Sequence, residues 1–441
     1  MNFALPRIHA AEGYRFGLIV ALLFFNSVIL ESNEVIATSG FVSHIGVQHI
    51  VWVWAADMII VMLTAALYSI IVDRTNRTRL TTVMFAGFGG IYILLYGLFR
   101  FEQLTWITYP LLTIVNDQQW SLFSLLIWAL ANDAFTPAQA KRLFPLLAMA
   151  VMIGSVAGNM TVTLLPQVLH APGYILLLFN AFLLLTLSGT LVVASLTKQP
   201  LADARSARRA NRLREIFTEG LGFIREVPSF RYLAFAMIPL GFGLNALEFN
   251  FLSTIASADA ASVQMIYGTF KVVLSLSILF IQGWLASRLV NRIGLRRIFT
   301  LSPVAQLVAL LLAFAWPIYG IFLGNYLTRV TLVAIDEPAR QMLFGLAPDE
   351  RRGRVSAFMN GYLYPLGAIL GCIIIGSLLS LEHAGLIQPI ESSFIYLGGA
   401  FCSVLFAFAM VVHIHECYDI SLLSWRLDRR KRGSAIPNLE F

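Results

Sequence analysis

Long apolar stretches alternate with short polar segments along the whole chain. A helix that crosses the hydrocarbon core of a bilayer needs about 20 mostly apolar residues, and twelve stretches come close to or exceed that length. The predicted spans are 15–38, 49–72, 80–99, 107–134, 143–166, 174–196, 230–256, 263–287, 298–316, 319–344, 355–380 and 392–414. The pattern therefore predicts an all-α polytopic membrane protein with twelve transmembrane helices.

The composition supports this interpretation. The 441 residues are 58% hydrophobic and 12% charged, with a mean hydropathy of +0.76, which is far from the composition of a soluble globular protein. The first apolar stretch is not expected to be a signal peptide, because it is long, carries Glu31 and Glu34 and has no small-residue cleavage site after it.

The positive charge of the chain is distributed by loop. The net charge is +7, and the basic residues cluster at alternate loops and at the C-terminal end: Arg74, Arg77 and Arg79, then Lys141 and Arg142, then 198–225, 288–297, 351–354 and 426–432. Cytoplasmic loops carry such an excess, so both termini and the long linker are expected in the cytoplasm. We expect a multi-pass protein of the cell membrane, such as a bacterial inner membrane, in contact with lipid and not with nucleic acid.

One long polar segment divides the chain. We predict an N-terminal six-helix half at 1–196, a cytoplasmic linker with an amphipathic helix at 197–229, a C-terminal six-helix half at 230–415 and a basic tail at 416–441. The pair Gly154 and Gly158 in the fifth stretch recurs as Gly367 and Gly371 in the eleventh, and such GxxxG motifs allow helices to approach closely. Two parallel six-helix halves are typical of the major facilitator fold.

Charged residues also occur at membrane depth, where they are costly unless paired or hydrated. Counted from the nearest inner arginine at the helical rise, four of them lie about 25 Å above the inner surface, in one layer. They are Glu31, Asp57, Glu248 and Lys271. With Glu34 and Asn245, which share helix faces with Glu31 and Glu248, they are the candidate solute-binding residues, and Arg329, about 17 Å deep, is a candidate for an anionic group.

Other roles remain open for two of these side chains, Lys271 and Glu34. Lys271 is also predicted to pair with Glu31 or Glu248, either simply to hold the halves together or to couple an ion to solute movement. Glu34 lies nearer the outer surface and is as well explained by solvation.

Charges at the inner helix ends form a second candidate set. They are interpreted either as a cytoplasmic gate or as ordinary charge balance at helix ends. The set comprises Asp73, Arg74, Asp133, Lys141, Arg288, Asp336, Glu337 and Arg340.

Several other signals are weaker. On a helix, His413 and His415 point in different directions, which leaves His413 and Cys417 alone on one face, so we expect no metal site. The unpaired spacing of the three cysteines indicates packing residues. We find no nucleophile–base constellation, expect no cofactor and do not expect an enzyme.

Three segments resemble the ATP:ADP antiporter family of nucleotide transporters. They are ANDAFTPAQAKRLFPL at 131–146, NALE at 245–248 and EPARQMLF at 337–344, which is followed by a charged RRGR loop. The resemblance implies a major-facilitator-like antiporter that exchanges nucleotides. The chain departs from the family at Glu31 and Glu34, where the family has an arginine and a lysine, and near Phe251, where the family has a lysine.

These observations lead to one functional expectation. The chain is expected to be a secondary active transporter that moves a small charged metabolite by alternating access, either by nucleotide exchange or by coupling to a proton. Acidic side chains suit a proton or a cationic solute better than a triphosphate. The alternative is a non-transporting membrane sensor or scaffold that retains the fold.

Overall fold

A computed structural model describes residues 10–72, 75–196, 221–285, 292–344, 355 and 358–433. Within these ranges the regular secondary structure is entirely helical. The described chain divides into two compact units.

The first unit comprises the described parts of Met1–Ala210 and Ile255–Gly283. Its helices are α1 (Ala10–His44), α2 (Ile50–Val72), α3 (Arg77–Leu98), α4 (Thr105–Ala134), α5 (Pro137–Leu169), α6 (Leu176–Leu196) and, from the later segment, α8 (Ala260–Phe280). In this unit α8 packs against α1 and α5.

The second unit comprises the described parts of Asn211–Thr254 and Trp284–Phe441. Its helices are α7 (Pro228–Ile255), a single turn (Leu295–Ile298), α9 (Leu301–Ala315), α10 (Tyr319–Thr331, a π-helical segment Leu332–Asp336, then Glu337–Phe344), α11 (Tyr364–His383, preceded by the π-helical Met359–Leu363) and α12 (Pro389–Gly433). A third π-helical segment, Ile281–Leu285, follows α8.

Local sequence explains several helix starts. At the start of α5, Thr136 and Gln139 form a reciprocal capping box and Pro137 occupies the first turn, where its missing N–H costs nothing. The side chain of Asn76 accepts backbone N–H groups at the start of α3, and Asp259 does the same for α8. In Asp259, the hydrogen bond from Ser262 lowers the pKa of the carboxyl, because it favours the charged form.

The prediction of a polytopic helical membrane protein is confirmed. In the part of the chain that is described, nine helices are long and apolar enough to cross a membrane. The other three predicted spans are also helical: α4 carries a polar cluster at its centre, α9 has 15 residues and α10 is interrupted by its π-helical segment. The structure is therefore compatible with twelve spans.

Both GxxxG motifs mark close helix contacts, as predicted. A Cβ atom at Gly154 or Gly158 of α5 would overlap backbone oxygens of α1 at Phe24 and Val28. In the second unit, a Cβ atom at Gly367 of α11 would overlap the carbonyl oxygen of Ile238 in α7. The GxxxG motif thus allows α5 to pack closely on α1 and α11 to pack closely on α7.

The predicted division at 1–196, 197–229, 230–415 and 416–441 stays a prediction. Residues 197–220 lie outside the described residues, and 221–226 are helical. Helix α12 continues to Gly433, well into the predicted tail.

Candidate solute-binding site

The candidate site in the first unit is built from α1 and α8. Glu31 and Glu34 are three residues apart and share a face of α1. The Lys271 Nζ atom of α8 lies 3.2 Å from Glu31 Oε2 and 2.8 Å from Glu34 Oε2. Lys271 is only 6% exposed, so its charge depends on these two carboxylates. We call these three residues the Lys271 cluster.

Neutral polar groups orient the Lys271 cluster. Ser155 and Asn159 of α5 donate hydrogen bonds to the two carboxylate oxygens of Glu31, and Asn159 Nδ2 also lies 2.9 Å from Ser275 Oγ. Tyr267 of α8 donates to Glu34 at 3.3 Å. Side chains of α5 and α8 therefore fix the positions of the two carboxylates.

Two features of this site favour a ligand. Two carboxylates facing one ammonium group leave an excess of one negative charge, and low-dielectric surroundings make an excess charge expensive. Asn159 is fully buried, and its Oδ1 atom receives no hydrogen bond from the described residues. A cationic group that also donates a hydrogen bond would satisfy both.

The second unit contains its own buried ion pair, between α7 and α10. Arg329 Nη2 lies 2.8 Å from Glu248 Oε2, and Asn325 Nδ2 donates to the same oxygen at 2.8 Å. The Oδ1 atom of Asn325 and the Oγ1 atom of Thr328 are buried and receive no hydrogen bond within the described chain. Arg329 was predicted to bind an anionic group of the solute. In the structure its charge is already neutralised by Glu248.

A break in helix geometry follows this ion pair. The π-helical Leu332–Asp336 begins three residues after Arg329 in α10. Such π-helical turns are frequent at functional sites because they change the direction in which the next side chains point.

Asn245 contacts a neighbouring helix. Its Nδ2 atom donates to the carbonyl oxygen of Ala368 at 3.0 Å and to Cys372 Sγ at 3.3 Å, both on α11. Asn245 and Glu248 were predicted to share one polar face. In the structure Asn245 contacts α11 and contributes to helix packing, whereas Glu248 pairs with Arg329. Cys372 is buried there, in agreement with its predicted packing role.

Asp57 is fully buried on α2, in the first unit. Its Oδ1 atom accepts a hydrogen bond of 3.2 Å from Gln118 Nε2 of α4, and its Oδ2 atom is buried with no donor in the described residues. Asp117 lies beside it on α4, within hydrogen-bonding reach. Asp57 thus belongs to a carboxyl pair that is separate from the Lys271 cluster.

The candidate gate residues are only partly described. Asp133 Oδ2 lies 2.6 Å from Arg77 Nη1, which joins the end of α4 to the start of α3 within the first unit. Asp336 and Arg340, 3.0 Å apart, pair along α10, and Glu337 is exposed. Each pair stays inside one unit, which fits the charge-balance interpretation. Asp73, Arg74 and Arg288 lie outside the described residues, as does the side chain of Lys141.

The structure pairs Lys271 with Glu31, which is one of its two predicted partners. It also pairs Lys271 with Glu34, for which the sequence allowed either a place on the polar face or simple solvation. Sequence reasoning missed the neutral members of both sites. A signal was present, because Tyr267, Lys271 and Ser275 repeat every four residues, and Ser155 and Asn159 each directly follow a glycine of the GxxxG motif.

Known proteins were compared with this chain by sequence and by fold. No protein-family model and no curated protein sequence matches it. Among solved structures, the nucleoside transporter NupG has a TM-score of 0.62 at 17% identity, over 90% of this chain and 98% of that one. The fold is that of the major facilitators.

Two further solved structures show the same similarity. A POT family transporter in complex with a thioalcohol-conjugated peptide has a TM-score of 0.63 at 12% identity, over 90% of this chain and 96% of that one. A bacterial homologue of the iron transporter ferroportin, in an inward-facing state, has a TM-score of 0.60 at 15% identity, over 92% of this chain and 100% of that one. The descriptions of all three solved structures name transporters.

Proposed function

We propose that this protein is a secondary active transporter that moves a small charged metabolite across the membrane by alternating access. The observation that carries the proposal is the Lys271 cluster, in which a buried lysine of α8 pairs with two partly exposed glutamates of α1 inside a major-facilitator fold. A purely structural membrane core rarely retains such charges, because each one costs several kcal/mol when it is unpaired in lipid.

We further propose that the charges of each unit determine which solute group it can bind. In the first unit Glu31, Glu34 and Lys271 leave one negative charge in excess, while in the second unit Glu248 and Arg329 balance each other. A solute with a cationic group would match the first site, and an anionic group would compete with Glu248 for Arg329. A charged metabolite that carries either group therefore matches the charges of one unit.

Nucleotide exchange is the more specific form of this proposal. It rests on the three segments that resemble the ATP:ADP antiporters, and NupG, which shares the fold, is described as a nucleoside transporter. The charges oppose a triphosphate, because its roughly four negative charges would meet Glu31 and Glu34 with only Lys271 between them. A nucleoside or a cationic metabolite fits the first site better.

The solute class is tested by thermal stability of the purified protein. A ligand that binds only the folded state raises the melting temperature with the logarithm of its excess over Kd. The screen compares nucleosides, ADP, ATP, amino acids and organic cations, and a hit is then assayed for uptake into proteoliposomes. We expect a cationic or zwitterionic compound to stabilise the protein more than ATP does.

Substitutions in the Lys271 cluster test whether the solute binds there. Glu31→Gln and Lys271→Gln are expected to abolish both the thermal shift and uptake. Glu31→Gln removes the excess negative charge that would attract a cationic group, and Lys271→Gln leaves two adjacent carboxylates without their ammonium partner. Glu102→Gln, which changes an exposed carboxylate in the loop before α4, is the matched control and should retain both. Uptake that survives in both cluster variants would overturn the site. A wild-type protein without any solute-dependent flux would instead favour the scaffold alternative.

A further inference from the structure

The carboxyl groups of Asp57 on α2 and Asp117 on α4 face each other inside the first unit. Asp57 is fully buried within an apolar helix, and α2 packs directly against α4. Two ionised carboxylates offer only acceptors, so they repel each other and cannot form a hydrogen bond. A single proton between them removes the repulsion and creates the bond, as in carboxyl dyads generally.

The neighbouring amide does not supply this proton. Gln118 Nε2 donates to Asp57 Oδ1, and Thr64 of α2 donates to Gln118 Oε1, which fixes the orientation of the amide. The Oδ2 atom of Asp57 is buried and receives no hydrogen bond from the described residues. The acceptor that remains open is therefore a buried carboxylate oxygen, for which a proton is the smallest possible ligand.

The surrounding charges do not neutralise the pair. Glu34 of α1 and Lys271 of α8 are the charged groups that act on Asp117 from the neighbouring helices, and Lys271 is already bound to Glu31 and Glu34. From α3, Tyr92 presents a phenol whose hydroxyl donates to Gln119. At Asp117 the negative charge of Glu34 opposes the positive charge of Lys271, and a bound proton lowers the negative charge of the pair itself.

We propose that Asp57 and Asp117 share one exchangeable proton and that this proton is the coupling ion of the transporter, which rests on the proposed function. One carboxylate takes up a proton from water to form an O–H bond, donates it to the other carboxylate, and returns it to water when the pair opens. The Lys271 cluster binds the solute, and the Asp57–Asp117 pair carries the proton. Asp57 is thereby reassigned from solute binding to proton binding.

The test is infrared spectroscopy of the full-length protein in lipid nanodiscs, without any solute. A shared proton gives the C=O stretching band of a protonated carboxylic acid at neutral pH, and the band is lost on alkaline titration. We expect Asp57→Asn and Asp117→Asn each to remove this band. Asp259→Asn, at the exposed start of α8 where asparagine caps equally well, should leave it unchanged.

Two results would overturn the proposal: absence of the band in the wild-type protein at neutral pH, or its persistence in both asparagine variants. If a variant does not fold, isotope labelling of the aspartate side-chain carboxyl carbon in the wild-type protein replaces it. A band that shifts with this label belongs to aspartate, as proposed, and a band that does not shift contradicts it.

Transport supplies the second measurement. In proteoliposomes, Asp57→Asn should lose the dependence of solute accumulation on an imposed pH gradient, and Asp259→Asn should keep it. Gradient-driven accumulation that survives in Asp57→Asn would contradict the role of the pair in coupling. Because the infrared band is read without solute, a wild-type protein that shows the band but no flux would contradict the proposed function and leave the shared proton intact.

Discussion

At the scale of single residues, each buried charge is stabilised by a partner of opposite charge. Glu248 is 6% exposed. Its carboxylate accepts hydrogen bonds from Arg329 and Asn325. Removing one member of a buried ion pair leaves an uncompensated charge, whereas removing both charges together costs much less. The pair therefore behaves as one unit in any substitution experiment.

Arg329→Gln is expected to destabilise the protein by about 3–5 kcal/mol, because it leaves Glu248 charged and largely desolvated. The double variant Glu248→Gln, Arg329→Gln should recover most of that loss, since two amides can hydrogen-bond to each other and to Asn325. Thermal and denaturant unfolding in detergent measure both variants. Equal destabilisation of the single and the double variant would show that the pair is not coupled.

At the scale of helices, small residues decide which elements meet. Gly154 and Gly158 bring α5 onto α1, and this contact places Ser155 and Asn159 beside Glu31. The glycines thus position the side chains of the proposed solute site as well as the helices. In α7 and α11 the equivalent contact is extended by the hydrogen bond from Asn245 to Ala368.

Gly158→Ala is expected to reduce stability and solute binding together, because its methyl group would overlap the Val28 carbonyl oxygen and push α5 away from Glu31. Gly87→Ala and Gly90→Ala in α3 are the matched controls, since nothing lies within 4 Å of an added Cβ atom. Alanine is a better helix former than glycine, so these controls should be neutral or gain up to about 1 kcal/mol. Melting temperatures would distinguish the two groups, and an unaffected Gly158→Ala would contradict the close packing.

At the scale of the whole molecule, topology follows from the distribution of basic residues between loops. Arginine and lysine cluster in alternate loops, in the linker and at the C-terminal end. Positively charged segments tend to remain on the cytoplasmic side during insertion, so with an even number of spans we predict that both termini lie there.

A fluorescent protein fused after Phe441 should therefore be fluorescent in a bacterial host, and an alkaline phosphatase fused at the same place should be inactive, because that enzyme requires an oxidising compartment for its disulfides. Phosphatase fused in the loop after α1, which is poor in basic residues, should be active. The opposite pattern at both sites would reverse the topology.

Much of the helical architecture could be predicted from sequence, because membrane insertion depends on the hydropathy of consecutive residues. The predicted spans 49–72 and 319–344 agree with α2 (Ile50–Val72) and with the limits of α10 to within one residue. The π-helical segments of α10 and α11 were not predicted, since they alter backbone hydrogen bonding without changing the apolar pattern.

The sequence by itself determined the all-helical membrane fold, the GxxxG contacts and the presence of ionisable residues at membrane depth, because these depend on residues that are neighbours along the chain. Only the tertiary structure decided the partners: Lys271 with two glutamates, Glu248 with Arg329, Asn245 with α11 and Asp57 with Asp117. These choices depend on how helices that are distant in sequence rotate and pack against each other. A buried charge binds the group that packing places within a few ångströms, and that distance is a property of the fold.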